Sequence, residues 1–118
     1  MLVDRVVWYR WPGRIPTDNG AACPGVINGR KLLLVRWDNN LHALEEQCPH
    51  HGASMLGGAV KDGCLVCPRH RYRYDLETGR GRQPDGGNAA VYPTEVRNDA
   101  VFVGVSKLTL RLFGRDLW

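Results

Sequence analysis

Two short segments constrain this chain more than any other: Cys48-Pro49-His50 and Cys67-Pro68-Arg69-His70. Each offers one thiol and one imidazole, and sixteen residues separate them. Two such arms can close on a metal from two sides. Soft thiolates suit zinc and iron–sulfur clusters, and imidazole suits zinc and iron. Three readings fit these residues: the side chains bind nothing, they form a Cys₂His₂ zinc site, or they hold a 2Fe–2S cluster with two Cys on one iron and two His on the other. Paired spacings of this kind rarely arise by chance. Structural zinc usually pairs Cys with Cys and His with His along the chain, whereas each arm here mixes the two.

The rest of the sequence reads as a β scaffold for those arms. No segment shows a sustained 3.6-residue apolar period. Val3–Trp11 reads as a first strand, Pro16–Gly25 as loop, and Lys31–Trp37 with Leu41–Glu45 as a hairpin turning at Asp38-Asn39-Asn40. Leu65-Val66 and Tyr72–Leu76 read as short strands, Gly79–Gly87 as loop, and Val91–Val96 with Ala100–Val105 as a final pair turning at Asn98-Asp99. The tail from Ser106 alternates Leu108, Leu110 and Leu112 as a strand does, though a short helix fits it too. The expectation is a single all-β domain of 118 residues, an antiparallel sandwich or partly open barrel. A small subdomain carrying the two arms, at about 47–76, is inserted in it.

The motif region Cys48-Pro49-His50-His51-Gly52-Ala53 and Cys67-Pro68-Arg69-His70, followed by Tyr72-Arg73-Tyr74-Asp75-Leu76-Glu77-Thr78-Gly79, resembles the Rieske family. It is most similar to Rieske-type ferredoxins and the Rieske domains of bacterial ring-hydroxylating oxygenases. The resemblance implies a 2Fe–2S cluster with Cys48 and Cys67 on one iron and His50 and His70 on the other, the histidines lying at the surface where electrons leave. Two ferric ions, two sulfides and two thiolates sum to zero charge, against minus two with four thiolates. An added electron is therefore accepted more readily, at roughly −150 to +300 mV against about −400 mV for plant-type ferredoxins.

High-potential members of the family carry an extra Cys on each loop, joined as a disulfide; those positions here are Ala53 and Arg69. They also carry a Ser that donates to cluster sulfur, and that position is Tyr72. The expectation is thus the low end of the range. Tyr74 stands where such members have a Tyr bonded to a ligand sulfur. It is read either as a donor to the Cys48 sulfur or as an ordinary strand aromatic.

One position departs from the family pattern: Arg71 replaces the Gly that usually follows the second His. It implies either a rearranged loop or a docking role. With Arg69 and Arg73 it would ring the electron exit with positive charge and steer toward an acidic face of a partner; the alternative is a solvated loop. Cys64 and Cys23 are read as core or loop thiols outside the ligand set, His51 as loop structure, and His42 as a strand residue.

The resemblance implies an electron carrier, not an enzyme, moving single electrons from a flavin-dependent reductase to a terminal oxygenase. The alternatives are the Rieske domain of a larger oxygenase and a nitrite-reductase-like small subunit. An oxygenase needs a further iron held by two His and a carboxylate, and only His42 and His51 remain for it. The formal charge of +4 comes mostly from scattered arginines, and no nucleic-acid-binding motif accompanies it. No apolar run of 18 residues occurs and the N-terminus has no secretory pattern. The expectation is a cytoplasmic chain without membrane or nucleic-acid partners.

Overall fold

Four two-residue turns set the framework. Asn28–Gly29, Asp38–Asn39, Asp62–Gly63 and Asn98–Asp99 all hold both residues at positive φ, the geometry that matches the twist of antiparallel hairpins. The computed structural model describes residues 2–50, 52–112 and 115–116, with side chains for 4–50 and 52–106; the reading of His51 lies outside them. No helix occurs among the described residues, and so none that is long and apolar enough to cross a membrane.

The first sheet pairs β1 (Leu2–Arg10) with β10 (Ala100–Leu112), and β9 (Thr94–Arg97) and β11 (Arg115–Asp116) flank β10. The second runs in the order β2 (Ala22–Ile27), β3 (Arg30–Trp37), β4 (Asn40–Glu45), β8 (Val91–Tyr92). The third is small: β5 (Val60–Lys61), β6 (Cys64–Val66), β7 (Arg73–Asp75). Every pairing is antiparallel, as expected of a sandwich with no closed barrel.

Strand β3 organises the interior. Leu32, Leu33, Leu34 and Val35 are all fully buried, because each face of the strand meets a different core. Leu32 and Leu34 pack with Trp11, Ala43, Val101 and Val103, between the first and second sheets. Leu33 and Val35 point the other way, toward Met55, Leu65, Tyr74 and the two candidate ligands Cys48 and Cys67. The two-residue period of a strand makes this division automatic.

Two segments differ from the sequence reading, and a third, left open there, takes one of its two forms. The loop expected over Pro16–Gly25 gives way at Ala22 to β2. This is an edge strand, where Pro24 can sit without breaking a ladder, and Gly25 leaves room for the Trp11 ring, into which a Cβ would collide. The single strand expected over Val91–Val96 is divided at Pro93: β8 pairs with β4, and β9 crosses to pair with β10. The alternation after Ser106 is that of a strand, since β10 continues opposite β1 to Leu110 and opposite β11 at Arg111 and Leu112; residues 113–114 and 117–118 lie outside the described part.

Candidate metal centre

The two arms are built on one plan. In the first, the Cys48 N–H donates to the Ala53 carbonyl at 2.7 Å, and the Gly52 N–H returns to the Cys48 carbonyl at 2.6 Å. In the second, the Cys67 N–H donates to the Tyr72 carbonyl and the Arg71 N–H returns to the Cys67 carbonyl, both at 2.8 Å. The fifth residue of each turn is left-handed: Gly52 at φ 71° and Arg71 at φ 59°. Arg71 therefore does not rearrange the loop. It adopts the glycine-like conformation, at a steric cost that L-residues bear in that region. An Arg71→Gly protein is expected to gain about 0.5–1 kcal/mol, the relief of that cost less the extra freedom of the unfolded chain. The shift in urea midpoint measures it.

This geometry sinks both thiols into the core and leaves the imidazoles outward. Cys48 and Cys67 are at most 1% exposed. His50 is half-buried, with its Nδ1 atom inside, and His70 is exposed. The His50 and His70 rings lie 5.1 Å apart, nearly perpendicular. The second arm continues into β7, whose Tyr74 is fully buried beside the first arm. The Tyr74 hydroxyl lies 3.5 Å from the Cys48 sulfur and donates to the Gly86 carbonyl at 2.9 Å. Tyr74 thus packs as a core aromatic, and its hydroxyl reaches the Cys48 sulfur while directing its one proton to the Gly86 carbonyl. Burial first, then the Cys48 contact, pushes the Tyr74 hydroxyl pKa well up, so it stays a proton carrier across the ordinary pH range.

Two features around the arms were not read from the sequence. The Tyr72 ring stacks on His50, centroids 4.1 Å apart, and the Tyr72 hydroxyl donates to Asp85. The Asp85 hydrogen bond, with burial adding to it, raises the Tyr72 pKa. The only sequence signal for this contact is the Gly/Pro-rich turn that carries Asp85, which marks a loop but not its neighbour. Of the remaining residues, Cys64 is a buried thiol of β6, Cys23 is half-buried in β2, and His42 is a half-buried residue of β4.

The donor chemistry fits a two-iron group. Two buried thiols and two imidazoles at the rim supply the mixed set that such ligation requires. Structural Cys₂His₂ zinc usually takes paired Cys from one arm and paired His from the other, whereas here each arm supplies one thiol and one imidazole.

Comparison with known proteins agrees. Residues 14–93 match the family model of the Rieske [2Fe-2S] domain. The ferredoxin component of the alkene monooxygenase system of Xanthobacter autotrophicus is 29% identical over 83 residues, 70% of this chain and 68% of that protein. The ferredoxin component of the naphthalene 1,2-dioxygenase system of Pseudomonas aeruginosa is 27% identical over 105 residues, 88% of this chain and 95% of that protein. Among solved structures, a protein described as an NADH-dependent nitrite reductase small subunit from Mycobacterium tuberculosis superposes with a TM-score of 0.75 at 22% identity, covering 86% of this chain and 96% of its own. The chain belongs to the Rieske [2Fe-2S] domain family, and its cofactor is a 2Fe–2S cluster.

Proposed function

We propose that this chain is a Rieske-type ferredoxin: Cys48 and Cys67 hold one iron, His50 and His70 the other, and the protein carries single electrons from a flavin-dependent reductase to an oxygenase. The observation that carries this reading is the pair of matched turns, which buries two thiols in one core and presents two imidazoles at its rim. When bound, the cluster supplies a one-electron couple. The chain's own residues hold it, exclude water from the thiolate side and leave His70 exposed toward a partner. Substrate chemistry takes place on the partner, in keeping with the ferredoxin components that the chain resembles. Free thiols of this kind fit the reducing cytoplasm.

Protein-film voltammetry of the anaerobically prepared protein tests the proposal. A reversible one-electron couple near the low end of the Rieske range, roughly −150 to +300 mV, is the expected result. Absence of any couple would sink it.

The docking face is basic. Arg69, Arg71 and Arg73 are exposed around the second arm, and Lys61 and Arg82 join Arg71 and Arg73 along an adjoining groove. Such a face suits an acidic partner. The charge of Arg71 also accounts for a non-glycine residue at a left-handed position. On a carboxylate-terminated electrode, electron exchange is expected to slow several-fold as salt rises from about 10 mM to above about 0.15 M. Arg69→Gln and Arg71→Gln together should remove most of that salt dependence. An unchanged salt profile would mean a solvated loop without a docking role.

A further inference from the structure

Two side chains that the proposed reading leaves unused form a brace against His50. The Tyr72 ring lies on the His50 ring with planes 22° from parallel and centroids 4.1 Å apart. Its hydroxyl donates to Asp85, whose carboxylate oxygens stand 2.9 and 3.1 Å away. Asp85 belongs to a turn closed by the Gly86 N–H donating to the Gln83 carbonyl. That turn is anchored to β7 on both sides of Asp85: the Arg73 N–H donates to Gln83 Oε1, and the Tyr74 hydroxyl to the Gly86 carbonyl, each at 2.9 Å. The turn lies close against the Tyr72 ring, since a Cβ on Gly86 would press into it. Three hydrogen bonds thus hold the turn that presents Asp85 to the Tyr72 hydroxyl, while the face of the same ring meets the His50 imidazole.

We infer that Tyr72 and Asp85 are positioning residues for the redox site, Tyr72 setting the plane of the His50 ring and Asp85 locking Tyr72 while fixing a negative charge on the histidine side. The inference rests on the reading of His50 as a cluster ligand. A fixed negative charge opposes the arrival of an electron. The phenol has one proton to donate, and it is directed to Asp85 rather than toward sulfur, so it gives no stabilisation to the reduced state. The fixed charge therefore holds the potential down, and the phenol does nothing to offset it. Asp85 is exposed, so the charge effect is partly screened and shrinks as salt rises.

The test is voltammetry of the cluster-loaded protein at low and high salt, with electron paramagnetic resonance of the reduced form. Asp85→Asn keeps an acceptor for the phenol and removes the charge. Tyr72→Phe keeps the stacked ring and releases the carboxylate. Each is expected to shift the midpoint potential upward at low salt, and less so at high salt. The double variant should match Asp85→Asn rather than exceed it, since both changes undo one device, and Asp85→Glu should restore the wild-type potential. Iron content and resonance line shape should stay near wild type in Asp85→Asn. Asp85→Asn is an exposed polar exchange, so it keeps the test decisive even where Tyr72→Phe folds poorly. A purely structural role predicts lower stability with an unmoved potential, and that result overturns the inference alone. A wild-type protein with no Rieske couple overturns the inference and the ligand reading together.

Discussion

A Cys67→Ser protein is expected to hold no cluster: iron and sulfide fall to background and the visible absorbance is lost. The sulfur of Cys67 is fully buried at the head of the second turn. Serine preserves that turn, since the turn uses backbone groups alone. What it removes is the soft, readily ionised donor, and an alcohol at neutral pH is a poor ligand for iron. The control is Cys64→Ala. Cys64 is also buried and lies only three residues earlier, but it belongs to β6 and lines the basic groove outside the thiol core. It should load normally. Iron analysis of the two proteins side by side separates a ligand from a neighbouring core thiol; loss of iron in Cys64→Ala would shift the second ligand assignment to that residue.

The second large effect is thermodynamic. Leu65→Ala is expected to lower stability by about 2–5 kcal/mol, a substantial part of the 5–15 kcal/mol that a domain of this kind possesses. Leu65 has no exposed surface and sits at the centre of the three-stranded sheet, opposite Val60 on one side and Tyr74 on the other. It packs in the same core as Cys48, Met55 and Cys67. Truncating it leaves a cavity directly behind the two arms. A lowered urea midpoint with an unchanged slope measures the loss. Val96→Ala, at a site 63% exposed, should move the midpoint little. If the two variants behave alike, the small sheet contributes nothing to the core of the arms.

The arms were legible because their chemistry is local: a Cys and a His a few residues apart can be read without knowing the fold. Likewise, the hairpins at Asp38–Asn39 and Asn98–Asp99 announce themselves through residues that tolerate positive φ. Asn28-Gly29 and Asp62-Gly63 carry the same signal, and reading it would have located β2 and β5. Pro24 and Gly25 hid β2, because loop composition and edge-strand composition look alike until a neighbour is known. Pro93 carries the signal for a break that the single-strand reading of Val91–Val96 passed over; the crossing from one sheet to the other could not be read, since pairing partners are far apart in sequence. Contacts made across loops, such as Asp85 to Tyr72, leave no periodic trace at all.

Burial of β3 on both faces has a consequence for the speed of electron exchange. A carrier transfers its charge fastest when the surrounding atoms need to rearrange least between the oxidised and reduced forms. A strand packed at crystal-like density on either side cannot yield in one direction without straining the other. Leu33 and Val35 transmit that stiffness to the thiol side of the site, and Leu32 and Leu34 tie it to the opposite core. The strand therefore acts as a common keel, and the inner half of the site has little room to rearrange when an electron arrives.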